Sequence, residues 1–336
     1  MSRREQLATV LDHLGVLAVL ERMPQSHRLL ILNYHRIGDP AATSFDREVF
    51  STDAEGLDRQ VRALKRRYRI IDAAEAEAIV VGKKRRPGLS ILLTFDDGYR
   101  DNLEVAVPIL RSHGVQAVFF LVTGFLEKPH TVAWWDRIAW LIRQLVGRRL
   151  EITAPEPVSV DVTADNADSV IRQVLALYRS SGGRGELIGQ LEHAATVTPD
   201  GREPPQFLDW SGAARLRDAG MAIGLHTHAH PILSSLDETA QEAEIATCRT
   251  LLRERLGVEA TLLAYPVGSP AAFSAATRRA AERAGCTAAF SFYGGINRPG
   301  AIDRFDVRRV AFQSFAHLPR NRMSVATLAR DGRTWF

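Results

Sequence analysis

Two short stretches of the chain carry residues whose types and spacing could do chemistry. Thr94-Phe95-Asp96-Asp97-Gly98 sets two carboxylates side by side, directly behind the apolar run Ser90-Ile91-Leu92-Leu93. Gly224-Leu225-His226-Thr227-His228-Ala229-His230-Pro231 sets three histidines within five residues, again behind an apolar strand. Adjacent carboxylates repel each other, and the end of a buried strand is a costly place for that. A divalent cation removes the cost, since carboxylate oxygen and imidazole nitrogen are its ordinary ligands. Asp97 from one strand and two histidines from another make an Asp plus two His set, which leaves a coordination position for water. Such an ion brings the pKa of water to about 7, and a neighbouring carboxylate outside the coordination shell then serves as general base. A third stretch, Leu263-Ala264-Tyr265-Pro266-Val267-Gly268, also ends a strand, where a backbone N–H could meet a developing oxyanion.

These groups need elements that bring them to one place. Strand-like apolar runs at Leu29–Tyr34, Ser90–Phe95, Gln116–Val122, Met221–Leu225 and Thr261–Tyr265 alternate with helical patterns at Asp53–Arg67, Leu103–Ser112, Asp237–Leu256 and Ser274–Ala284. The alternation predicts an α/β fold with a largely parallel sheet, whose strand carboxyl ends all open on one face. Gly114, Gly220, Gly257 and Gly285 fall just past the helices, where a left-handed cap suits glycine. Residues 131–207 break the rhythm with an aromatic-rich helix (Trp134, Trp135, Trp140), a Pro-containing stretch, and two further helices near 168–180 and 184–196; this reads as a helical insertion. The tryptophans suit sugar stacking, although their helical spacing suits a core equally well.

The 336 residues suffice for one large domain or two smaller ones, and a net charge of +4 is too mild for a nucleic-acid partner. Lys83-Lys84-Arg85-Arg86 precedes Pro87-Gly88 and reads as a solvated loop. Cys248 and Cys286 have neither metal-ligand nor disulfide spacing, which fits a reducing compartment. No Gly-x-Ser-x-Gly elbow supports a serine hydrolase. Charges at Asp12, Glu21 and Arg22 interrupt the first apolar stretch, so it reads as neither a secretory signal nor a span of roughly 20 apolar residues. The expected location is cytoplasmic. Leu7, Val10, Leu11, Leu14 and Ala18 share one helical face, which predicts a helix over 1–28 packed on the domain. The alternative is a membrane-surface helix, with Arg3, Arg4, Arg22 and Arg28 nearby.

Taken in order, TFDDG, His226-Thr227-His228-Ala229-His230 and Tyr265-Pro266-Val267-Gly268 resemble the polysaccharide deacetylase family, the NodB-homology domain of carbohydrate esterase family four. The first two stretches match T-F-D-D-G and H-[S/T]-x-x-H at every defined position. The resemblance covers about residues 29–313, with the insertion inside it and a tail over 314–336. It implies a distorted (β/α) barrel of seven or eight strands, a divalent metal of the Zn2+ type, and hydrolysis of an N-acetyl group from a sugar. Carried over by position, Asp97, His226 and His230 match the metal ligands, Asp96 the catalytic base, and Val267 the backbone N–H at the oxyanion. His228 falls at a variable position.

Two positions depart from the family pattern. Ala264 stands where an arginine usually precedes the proline, and the C-terminal Leu-x-x-His has no clear match, Phe315-Ala316-His317 being a poor one. Leu32-Asn33-Tyr34-His35-Arg36 resembles the circularly permuted branch, in which a Tyr-His strand end supplies the general acid; this implies His35. Arg309 resembles a late-strand arginine of that branch, which would tether Asp96. The implied substrates are an N-acetylated sugar, an oligosaccharide or a lipid-linked glycan, with peripheral membrane contact on the alternative reading of residues 1–28. A deformylase acting on a sugar precursor and a non-catalytic carbohydrate-binding relative are the rival readings.

Overall fold

A computed structural model describes residues 27–183, 185–196 and 206–312. The expected N-terminal helix (but for residues 27 and 28), part of the insertion, and the tail with Phe315-Ala316-His317 lie outside the described residues.

Strand β1 (Arg28–Tyr34) leads into β2 (Arg36–Ile37), which pairs in parallel with β3 (Phe50–Thr52). Helix α1 (Ala54–Arg67), β4 (Arg69–Ile70), α2 (Ala73–Val80), β5 (Leu89–Phe95), α3 (Val107–Ser112) and β6 (Val118–Leu121) follow. After the short α4 (Thr123–Glu127) comes the insertion: α5 (Trp134–Gln144), the antiparallel hairpin β7 (Arg149–Ile152) and β8 (Val158–Asp161), α6 (Ala167–Ser180) and α7 (Gly185–Ala195). The chain then returns through α8 (Trp210–Asp218), β9 (Ala222–Leu225), α9 (Glu238–Leu256), β10 (Leu262–Ala264), α10 (Ala275–Arg283), β11 (Ala288–Phe292) and β12 (Val307–Ala311).

The sheet runs β1-β12-β11-β10-β9-β6-β5, and β5 pairs back onto β1 from Arg28↔Leu89 to Tyr34↔Phe95. Seven parallel strands therefore close into a barrel, with β4 beside the start of β5. Closure leaves no open edge among those seven. It also buries both faces of each strand, which is why β1 and β5 read as continuous apolar runs.

Side chains alternate between the barrel interior and the helical layer. Leu30, Leu32, Ile91, Leu93 and Phe95 point outwards into a core shared with Leu57, Val61, Leu110 and Leu252 of the surrounding helices. Leu29, Ile31, Leu92, Val118, Phe120, Phe290 and Val307 fill the interior, where Ala76, Ile79 and Val80 of α2 join them. Continuing the same alternation, Asn33, Thr94, Asp96 and Arg309 fall on the interior face at the carboxyl ends. The interior thus changes from apolar to polar along its axis, and the polar layer opens on the face where chemistry is expected.

The insertion has its own core, built on Ile138, Leu141, Ile142, Val174 and Leu187, and this core also takes in Tyr99, Val122, Phe125 and Phe207 from the barrel mouth. Among the described residues, no helix is long and apolar enough to cross a membrane.

Candidate active site

The site begins with three strand ends. Asp96 and Asp97 follow β5, His226 follows β9, and Val267 follows β10. Backbone bonds hold these ends together: Asp96 N donates to the Tyr34 carbonyl at 2.9 Å, and His226 N to the Leu121 carbonyl at 3.1 Å. Asp97, Thr227, His230 and Val267 all adopt left-handed backbone, with φ of 72°, 67°, 57° and 62°. Non-glycine residues hold that conformation at a cost, and such positions cluster where function over-determines the backbone.

Asp97, His226 and His230 each offer a ligand atom, and these atoms lie within 4.8 Å of one another. His226 Nε2 and His230 Nε2 stand 3.3 and 3.4 Å from Asp97 Oδ1. That oxygen is buried and has no hydrogen-bond partner among the described residues. His226 Nδ1 lies 2.8 Å from the Ala264 carbonyl, which fixes the hydrogen on Nδ1 and leaves the Nε2 lone pair facing Asp97. Burial pushes the His230 imidazole down to about 3, which favours a neutral ring. Burial also lowers His226, but Asp96 and Asp97 more than reverse this and raise it; the cluster favours positive charge. An unpartnered carboxylate oxygen beside two imidazole Nε2 atoms fits a divalent cation bound by one oxygen and two nitrogens.

Asp96 is held beside this cluster by different partners. Arg309 Nη1, fully buried on β12, donates to Asp96 Oδ1 at 2.7 Å, and Asn33 Nδ2 donates to Oδ2 at 3.0 Å. Burial alone would raise the Asp96 carboxyl; the Arg309 guanidinium, then His226 and His35, outweigh it and hold the group well below the usual carboxylate range. Asp97 is likewise lowered, its burial outweighed by His226 and His230. Arg309 also donates from Nε to the Ser291 carbonyl at 3.2 Å and lies over the Phe120 and Phe292 rings.

His35 Nε2 stands 4.0 Å from Asp96 Oδ2 on a side chain that keeps 23% exposure, at the rim of the site. Its backbone is tied on both sides, N–H to Ser51 Oγ at 2.9 Å and carbonyl to Asn102 Nδ2 at 2.7 Å. Burial lowers its imidazole against the pull of Asp97 and Asp96. His228 turns away, with Nδ1 3.0 Å from Thr123 Oγ1. Gly268, next to Val267, has φ 66°, and a Cβ there would sit 2.7 Å from the Phe292 nitrogen, so only glycine fits.

The structure therefore gathers Asp96, Asp97, His226, His230, His35 and Arg309 at one barrel mouth, with Val267 on the adjoining strand end. Sequence reasoning passed over Asn33, although a lone amide in the apolar run of β1 was a signal. It also passed over Glu244 on α9, whose Oε2 accepts from the backbone of His228 and Ala229 at 3.0 and 2.8 Å. No local pattern marks that residue. The tryptophans are packed rather than open: Trp135 lies 4.7 Å from the His230 ring and donates to Tyr99 Oη at 2.9 Å, while Trp134 stacks on Tyr178 at 4.7 Å.

The chain is a closed parallel (β/α) barrel with a carboxylate–imidazole cluster at the carboxyl ends of its strands, the face where such barrels hold their active sites. The profile of the polysaccharide deacetylases matches residues 83–289, more than half of the 336-residue chain. The Bacillus subtilis protein YxkH, whose name assigns it to the polysaccharide deacetylases, is 27% identical over 103 residues, which are 31% of this chain and 35% of that one. An uncharacterized Streptomyces coelicolor protein is 37% identical over 89 residues, 26% of this chain and 34% of that one. The chain thus spans about a third of the length of these two curated relatives. Among solved structures, IcaB from Ammonifex degensii aligns with a TM-score of 0.56 at 21% identity, covering 91% of this chain and 98% of that one. The Streptococcus pyogenes deacetylase PplD, solved in complex with acetate, aligns with a TM-score of 0.55 at 17% identity, covering 86% and 92%. These structures share the fold. The chain belongs to the polysaccharide deacetylase family.

Proposed function

We propose that the protein is a divalent-metal-dependent N-deacetylase acting on an acetylated amino sugar in a glycan or glycan precursor. The observation that carries this reading is the cluster of Asp97, His226 and His230, with ligand atoms within 4.8 Å, beside an Asp96 ion-paired to a buried arginine. Asp97, His226 and His230 would hold the ion, Zn2+ by its one-oxygen, two-nitrogen donor set. When bound, such an ion brings a water towards pKa 7 and polarises the amide carbonyl.

The chain's own residues supply the rest. Arg309 keeps Asp96 ionised, so Asp96 is ready to take a proton from the attacking water through Oδ2. The Val267 N–H would meet the oxygen on which negative charge develops. His35, neutral at the outset, would take up the proton that Asp96 collects, its Nε2 standing 4.0 Å from Asp96 Oδ2, and pass it to the leaving amine. The C–N bond breaks, and acetate and a free amino sugar leave. Trp135 against His230 and the surrounding apolar side chains keep bulk water from the ligands.

Acetate release from N-acetylated sugars, nucleotide-sugars and lipid-linked glycans, measured with metal content, tests the proposal. Asp96→Asn should lower turnover by about 10²–10⁴-fold while keeping the metal. His226→Ala should lose both. Bound metal with formate released from an N-formyl sugar and no acetate from any substrate would favour a deformylase. A wild-type protein that binds no divalent ion would sink the proposal.

A further inference from the structure

We propose that Asn33 is a positioning residue for this reaction, orienting Asp96 so that its Oδ2 faces the ligand cluster. The inference rests on the deacetylase reading. Asn33 is 1% exposed in a barrel strand whose neighbours are apolar, a place where an amide is tolerated only if its hydrogen bonds are made. They are made. Nδ2 donates to Asp96 Oδ2 at 3.0 Å, while Oδ1 accepts from Arg309 Nη1 at 2.8 Å and lies 2.8 Å from Thr94 Oγ1.

The orientation of the amide follows from its partners. Arg309 Nη1 carries two hydrogens, one for Asp96 Oδ1 and one for Asn33 Oδ1. Turning the amide over would set NH2 against the guanidinium and a carbonyl against the carboxylate. The Thr94 hydroxyl shares its single hydrogen between Asn33 Oδ1 and the Leu32 carbonyl at 3.0 Å, so it supports the lock without being essential to it. Register brings the set together: Asn33 pairs with Thr94 across β1 and β5, and with Ala311 across β1 and β12.

Arg309 alone leaves the Asp96 carboxylate free to turn about its Cβ–Cγ bond. A second donor on the other oxygen fixes that angle. The oxygen Asn33 holds is the one facing the site, 3.8 Å from His226 Nε2 and 4.0 Å from His35 Nε2. With one lone pair taken by Asn33, Oδ2 presents the other to the proton it must receive.

Asn33→Leu keeps the branched skeleton, with somewhat bulkier methyl groups in place of the amide, and deletes the hydrogen bonds. In protein shown to be folded by circular dichroism, turnover on the best acetylated substrate should fall by roughly 10–100-fold, the usual effect of losing an outer hydrogen-bond partner. KM and the dissociation constant for the divalent ion, from equilibrium dialysis, should stay within about two-fold, because no ligand is touched. A merely structural role would lower the melting temperature and leave turnover per folded molecule unchanged. Thr94→Val, a milder change, should move turnover the same way by less, and serves if Asn33→Leu does not fold. A crystal structure of the variant should show the Asp96 carboxylate rotated relative to wild type. Unchanged turnover, or a loss matched by weaker metal binding, overturns the inference. If wild type releases no acetate from any substrate, the functional reading fails, and the carboxylate orientation alone decides: an unrotated Asp96 then overturns the role of Asn33.

Discussion

At the scale of the residue, two neighbouring aspartates with the same chemistry sit in different surroundings. Asp97 turns into left-handed backbone and leaves Oδ1 without a hydrogen bond between two imidazoles. Asp96, one residue earlier, has both oxygens taken by donors from other strands. Arg309 is the residue on which this difference depends. Its guanidinium is fully buried, and removing one member of a buried, hydrogen-bonded ion pair leaves an uncompensated charge. Arg309→Met should therefore cost about 3–5 kcal/mol in chemical denaturation. Arg309→Lys should also be damaging, because one ammonium cannot reach Asp96, Asn33 and the Ser291 carbonyl from a planar fork. A variant with wild-type stability would show that the pair is not needed to hold the barrel mouth.

At the scale of the element, the loop after β9 would carry two ligands four residues apart; inside it the His230 N–H donates to Thr227 Oγ1 at 3.1 Å, and neighbouring elements must hold the rest. Helix α9 does so from outside. Glu244 Oε2 accepts the N–H groups of His228 and Ala229, between His226 and His230, and Gly124 at the start of α4 donates to the His228 carbonyl at 2.8 Å. A Cβ on residue 124 would stand 2.6 Å from that carbonyl, so the loop seats against bare backbone. Glu244→Ala should weaken divalent-ion affinity by about 10–100-fold, whereas Glu244→Gln keeps an acceptor and most of the affinity. Calorimetric titration of the metal-free protein measures both. Equal affinity in all three proteins would mean that the loop holds its shape unaided.

At the scale of the whole molecule, the insertion is packed into the barrel mouth rather than hung from it. Trp135 of α5 touches the His230 ring, and Asp136 beside it, 1% exposed, accepts the Asp46 N–H at 3.1 Å from the segment after β2. Burial pushes the Asp136 carboxyl up to about 8, with the Asp46 carboxylate adding to the shift. The folded state then keeps a proton that the unfolded chain gives up near pH 4, so this group makes stability fall as pH rises from about 4 towards about 8. Asp136→Asn should flatten that slope and raise stability at pH 8 by roughly 1–3 kcal/mol, the scale of a buried polar group left unpaired. Burial raises Asp46 as well, so some slope should remain. Urea denaturation from pH 5 to 8 reads the difference; an identical slope in the variant would show that Asp136 is ionised in the fold.

Local chemistry in the sequence determined much of this protein. Apolar runs marked β1, β5, β6, β9 and β10, and polar motifs directly behind them marked the site, because a buried strand that ends in charge is legible over a few residues. Helix ends were legible for the same reason: Asp53 and Asp237 cap α1 and α9 through their side chains, and Gly257 closes α9 at φ 67°. The Leu103–Ser112 expectation fell on a π-helical stretch, Asn102–Ala106, followed by α3, a change of hydrogen-bond spacing that periodicity does not resolve. The hairpin of β7 and β8 occupies the stretch read only as Pro-containing; β11 was not read as a strand, and β12 entered only through the resemblance that placed Arg309 on a late strand. The resemblance already implied a barrel of seven or eight strands, as found; tertiary structure decided which strands are neighbours, and hence that Asn33 meets an arginine 276 residues away. Contacts over such distances leave no local trace, because the sheet register that makes them is a property of the closed barrel and of no single segment.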